Sequence, residues 1–152
     1  MKIFVDTNVI LEYFIEREDF FIVNRLFQLF RAQKHELLMS VGGFYTILFL
    51  IDKYLRKEKG LIGDARVEAL RAIMRNIVTT INVAEHDRDS LLRGIGNTLF
   101  KDIEDGCQYE LALKSRCACL VTYNVKDYPK FDDNSPVEIL LPEDFISKYS
   151  EE

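Results

Sequence analysis

Five carboxylates in this 152-residue chain stand where side chains do chemistry. Asp6 ends a short apolar run, Ile3-Phe4-Val5, and is followed by Thr7, Asn8 and an apolar helical pattern. Asp102, Glu104 and Asp105 open a second helical pattern, and Asp127 follows Asn124 in a polar loop after the apolar run 118–122. A buried strand that delivers an acid to its C-terminal end and then turns into a helix is how open α/β sheets present catalytic groups. Carboxylates gathered in this way repel one another unless a cation lies between them. Magnesium or manganese suits such an all-oxygen site, with few protein ligands and several retained waters. An ion of this kind polarises a phosphodiester and activates water, so neither histidine nor cysteine is needed.

Each acid also has a plainer reading. Asp6 can cap the helix that follows it. Asp102 and Asp105 are spaced like a capping box, and acids favour the positive end of a helix. Asp127 can be a turn residue before Tyr128-Pro129. What separates the two readings is convergence. In a parallel sheet all strand C-termini emerge on one edge, so Asp6 and the Asn124/Asp127 loop share that edge. The helix opened by Asp102 leads into the strand at 118–122 from the opposite end, so its N-terminus lies back at the same edge.

The elements that must do this positioning follow from hydrophobic period and breakers. Strands are expected at Lys2–Val5, Glu36–Ser40, 78–83, 118–122 and 137–140. Helices are expected at Thr7–Phe14, 20–33, 44–57, 63–75, 85–92 and 101–114, with a last one opened by Pro142. Residues 16–19 read as a charged break, Val41-Gly42-Gly43 as a turn, and 94–97 as a loop. Phe20, Val23, Phe27 and Phe30 recur at helical spacing and read as core, not as a platform for stacking bases. Strands alternating with helices predict an α/β three-layer sandwich around a central, mostly parallel five-stranded sheet, as a single domain over 1–152.

Composition narrows the partners. A net charge of −5 excludes a strong basic field as the means of gripping nucleic acid, though acids gathered for a metal account for part of it. The longest apolar run, 44–51, is far short of the roughly 20 residues of a membrane helix. The sequence opens on a strand with no signal peptide visible, and Cys107, Cys117 and Cys119 read as reduced core residues, so a cytoplasmic location is expected. His35 and His86 show no zinc-ligand spacing with them. Gly94-Ile95-Gly96-Asn97 is no phosphate fingerprint, lacking both the G-x-G-x-x-G spacing and a P-loop lysine. Thr7 directly after Asp6 argues against a phosphoacceptor receiver, and Asn8 two residues on argues against a dehalogenase-type phosphatase.

The stretch Ile3-Phe4-Val5-Asp6-Thr7-Asn8-Val9-Ile10-Leu11 resembles the opening motif of PIN domains. Asp102-Ile103-Glu104-Asp105, continuing to Thr122-Tyr123-Asn124-Val125-Lys126-Asp127, resembles their closing motif, and element order agrees along the chain. The resemblance implies a divalent-metal-dependent endoribonuclease using Mg²⁺ or Mn²⁺, often the toxin of a type II toxin–antitoxin module. It implies an RNA substrate, a small antitoxin partner and a homodimer. By position, Asp6, Asp102 and Asp105 would be the catalytic acids, and Asp127 a further metal ligand close to Asn124, which stands in the place of the last acid. Asn8 would orient Asp6, and Thr122 and Ser40 would supply supporting hydroxyls. One position departs. The glutamate usual in the helix after strand two falls at Thr46, and 44–51 contains no acid. Either Glu104 and Asp127 compensate, or the chain binds RNA or a protein without cutting. Lys101, Lys126 and Arg25 are candidates for steering phosphates, each with a solvated surface role as the plainer reading.

Overall fold

The three central strands are apolar on both faces, as a parallel sheet covered on both sides requires. Side chains alternate across a strand, so neighbours in sequence enter different cores. In the computed structural model, Ile3 and Val5 join one buried cluster, while Phe4 between them joins another with Leu38 and Leu120. The structure describes residues 1–128 and 136–150, so Pro129 of the expected loop lies outside the described residues.

The elements run β1 (Lys2–Val5), α1 (Thr7–Phe14), α2 (Phe20–Ala32), β2 (Glu36–Ser40), α3 (Val41–Lys57), α4 (Gly63–Thr80) and β3 (Asn82–Ala84). They continue with α5 (Arg88–Gly96), α6 (Ile103–Lys114), β4 (Cys119–Val121), a 3₁₀ turn (Val125–Asp127), β5 (Glu138–Leu140) and α7 (Pro142–Tyr149). The sheet is five-stranded in the order β3-β2-β1-β4-β5, and every pairing is parallel. Helices α1 to α4 and α7 contribute to the larger cluster, and α6 covers the opposite face. The chain winds outward from β1 through β2 to β3, then returns to place β4 against the other side of β1. The crevice between β1 and β4 is therefore the topological switch point, the place where open α/β sheets bind ligands.

Three expectations are corrected. The strand expected at 78–83 forms only from Asn82, as β3, and residues 78–80 are helical. Helix α4 continues to Thr80, because Met74, Ile77 and Ile81 keep one face of it buried. The Thr79 and Thr80 hydroxyls bond back to the carbonyls of Arg75 and Asn76, which lets both threonines sit in a helix. The glycines at 42 and 43 form the first turn of α3, not a separate turn, since Ser40 Oγ accepts from Gly43 N at 2.9 Å and caps the helix there. Helix α5 includes Gly94 and Gly96, where a loop is expected from the sequence.

Gly94 is glycine for reasons of packing. A Cβ on it would lie 2.7 Å from Cys107 Cα and 2.8 Å from its N, and one on Gly106 would lie 2.8 Å from the Gly94 carbonyl oxygen. The backbones of α5 and α6 touch at this crossing, beside Asp105. Gly94→Ala is expected to lower stability by about 1–3 kcal/mol through overpacking. Gly96→Ala, with nothing within 4 Å of its Cβ, is expected to be neutral or slightly stabilising. Urea unfolding followed by circular dichroism separates the two, and equal effects would contradict the crossing.

Candidate active site

Asp6 is fastened from several sides. Its N–H donates to the Val121 carbonyl at 3.0 Å, tying the end of β1 to β4. Its own carbonyl accepts from Val9 and Ile10, starting α1. One carboxylate oxygen accepts from Thr7 N at 2.7 Å, and the other accepts from Thr122 Oγ1 at 2.7 Å. The Gln108 side chain also bonds to it. Asp6 is 3% exposed, and burial raises its pKa despite these donors.

Thr122 is placed with equal care. Its N–H donates to the Leu140 carbonyl of β5, and its hydroxyl accepts from Asn124 N at 3.0 Å. With one lone pair taken by that N–H, the hydroxyl proton is directed at Asp6. Asp127 N in turn donates to the Asn124 carbonyl, folding the loop back over the crevice.

Helix α6 brings the other acids. Asp102 is its N-cap, with Oδ1 accepting from Asp105 N at 3.2 Å. The cap sets Asp105 in the first turn, buried, with Gln108 one turn further along the same face. The result is a pocket of about 210 Å³ at the switch point. Asp6, Asp102, Glu104, Asp105 and Asp127 line it, with Thr7, Asn8, Gln108 and Asn124 between them. Thr46 and Leu50 of α3 complete the wall, so the position where a glutamate is expected lines the pocket with a neutral threonine.

No lysine or arginine lines this pocket, and among the described residues none of its five acids joins an ion pair. Asp105 shows the consequence. Burial, then the charges of Asp6, Asp102, Asp127 and Glu104, push its pKa up to about 7. Glu104 is raised by burial, Asp102 and Asp6. Among the described residues, no three His, Cys, Asp or Glu side chains form a ready-made metal group. The donor set is nonetheless all oxygen, which fits a magnesium-like ion held by one or two carboxylates with waters filling its other positions.

The structure brings together Asp6, Asn8, Asp102, Glu104, Asp105, Asn124 and Asp127, and sets Thr122 directly behind Asp6. It leaves out Ser40, which caps α3 and does not line the pocket. Asn8 lines the mouth, but among the described residues the side chains that donate to Asp6 are those of Thr122 and Gln108. Sequence reasoning missed Gln108. Its signal was available, a polar residue one turn after Asp105 inside an otherwise buried helix face. Lys101 and Lys126 do not line the pocket, and Arg25 borders a separate groove between α2 and α7.

The raised Asp105 pKa has a stability sign. Unfolded, the group ionises near 4; folded, near 7. Its contribution is fully present below about pH 4 and is lost as pH rises through about 7. Thermal midpoints of the metal-free protein should therefore fall between pH 5 and pH 8, and Asp105→Asn should flatten the profile. A wild-type midpoint that rises across that window would contradict the crowding of charge described above.

Comparison with known proteins agrees with this fold. The chain is 28% identical over 158 aligned positions to Ribonuclease VapC1 of Aquifex aeolicus (strain VF5), covering 98% of this chain and 96% of that protein. Its fold is similar to a chain in the crystal structure of VapBC2 from Rickettsia felis bound to a DNA fragment from their promoter. The TM-score is 0.63 at 13% identity, over 93% of this chain and 98% of that one. A PIN domain family model matches residues 2–126, a span that includes Asp6, the acids of α6 and Asn124. With that model covering most of the sequence, the chain belongs to the PIN domain family.

Proposed function

We propose that this chain is a divalent-metal-dependent endoribonuclease acting as the toxin of a type II toxin–antitoxin module. The observation that carries this reading is the five-acid pocket at the switch point, with no cation of the protein's own lining it. The ribonuclease name of the Aquifex relative and the VapBC2 assembly of the structural neighbour support it. They also support a small antitoxin as partner. Among the described residues no helix is long and apolar enough to cross a membrane. We place the protein in the cytoplasm, as a homodimer.

Asp6 and Asp105 would hold Mg²⁺ or Mn²⁺, joined by Asp102 and Asp127. Bound there, the ion would supply Lewis-acid polarisation of the phosphodiester and a lowered pKa for water. The protein's own groups do the rest. Thr122 and Gln108 donate to the Asp6 carboxylate, fixing its orientation and offsetting part of the rise in pKa that burial causes. Asn8 and Asn124 offer amides at the pocket wall for the sugar-phosphate oxygens. Glu104, with its pKa raised, accepts the proton of the attacking water as the new P–O bond forms and the old one breaks. Thr46 cannot take that role, since a hydroxyl is not a base at neutral pH.

Gel-resolved cleavage of generic RNA in Mn²⁺ tests this reading. Asp6→Asn and Asp105→Asn should each lose on the order of 100-fold or more in rate. Thr122→Val, which removes the donor to Asp6 and keeps the shape, should cost about 10- to 100-fold in metal affinity. Thr46→Glu should lower the metal concentration needed for half-maximal rate, because it adds an anionic ligand to the wall. Cleavage that survives both aspartate substitutions would sink the site. Metal binding without cleavage under any condition would favour the non-catalytic module that Thr46 suggests.

A further inference from the structure

A second cleft, of about 330 Å³, adjoins the acidic pocket and shares Asn8 and Leu50 with it. It runs between one face of α1, carrying Asn8, Leu11 and then Ile15, and one face of α3, carrying Leu50, Lys53, Tyr54 and Lys57. Both helices begin at the acidic edge, capped by Asp6 and Ser40, and run away from it. Positions 46, 50, 53 and 57 lie on one helical face. Lys53 therefore lies about 10 Å and Lys57 about 16 Å along α3 from the pocket wall at Thr46. Charge changes sign along this path. The pocket holds acids alone, whereas the cleft carries Arg17, Lys53 and Lys57 against the single acid Glu58. Lys53 and Lys57 are exposed and join no ion pair among the described residues, in a chain whose net charge is −5. Arg17 shares Glu12 at 3.4 Å and remains half exposed.

We propose that this cleft is the subsite for the RNA strand flanking the cut, with Lys53 and Lys57 pairing successive phosphates and Leu50 and Tyr54 underlying the sugars and bases. The inference rests on the ribonuclease reading and deepens it. A bound metal ion offsets the acids only at the phosphate being cut. The next phosphates along the strand need countercharge of their own, and the continuous cleft supplies it within a few nucleotides. Lys57 also suits the negative end of α3, but Lys53 lies a turn further in, where that account weakens.

Fluorescence anisotropy with labelled oligouridylate and the full-length Asp105→Asn protein, which leaves the strand uncut, tests the subsite in Mn²⁺. Adding Lys53→Ala and Lys57→Ala should weaken a dodecamer about tenfold and make its salt slope shallower by about 1.4, with little effect on a dinucleotide. Lys34→Ala with Arg116→Ala removes the same charge from the opposite edge of the sheet and should leave the dodecamer within about twofold. Equal loss in the two double variants, or none in either, overturns the subsite while leaving the ribonuclease reading intact. Loss of binding to an acidic peptide with no change for RNA overturns it in favour of a protein partner. If the wild-type chain cuts no RNA and the Asp105→Asn protein binds none, the ribonuclease reading falls and takes the subsite with it.

Discussion

A carboxylate buried at the end of a hydrophobic strand is costly unless donors surround it, and the hydrogen bond from Thr122 to Asp6 is where this fold meets that demand. The bond joins β1 to the segment after β4, two strands that come together only because the chain reverses its winding between β3 and β4. The same junction turns β1 into α1 through the Asp6 carbonyl and Thr7 N–H. A helix cap and a site acid are thus the same residue here. One carboxylate oxygen serves the cap, and the other is held by a side chain from the far end of the sequence.

Around that fixed point the fold tolerates strong like-charge crowding. Helix α6 is pressed onto α5 through Gly94 and Gly106, and this close crossing sets the first turn of α6, with Asp105, against the pocket. Asp105 responds by holding its proton to near neutrality. Stability and function oppose each other at this point, since the charge density that raises the pKa also attracts a cation. Thr46 adds no charge to the crowding, since the residue it places at the pocket wall is neutral. Along α3 the surface then passes from acidic to basic within a few helical turns.

Much of this was legible in the sequence. Ile3-Phe4-Val5-Asp6 reads as a strand that ends in an acid because its apolar run stops abruptly, and the cap of α6 is visible in the spacing of Asp102 and Asp105. Parallel pairing then brings distant acids to one edge with no further information. What failed was decided by tertiary contact. The β-branched residues at 77–80 remain helical because one face of α4 is already buried by Met74 and Ile77, which local propensity cannot register. Gly94 and Gly96 look like loop residues, yet one is required by a helix crossing and the other is merely tolerated. Gln108 was overlooked because a polar residue in a helix is ordinary until its neighbours show that it is buried against Asp6. Ser40, which by resemblance would supply a supporting hydroxyl, has that hydroxyl occupied with the first turn of α3.

The central claim is that Asp6 and Asp105 are ligands and not merely caps, and crystals soaked in Mn²⁺ and measured for anomalous scattering test it most directly. The account predicts one strong peak in the pocket between β1 and α6, bordered by the Asp6 and Asp105 carboxylates and absent from Asp6→Asn crystals. A pocket with no peak, or a peak that persists at the same place in Asp6→Asn crystals, would contradict it.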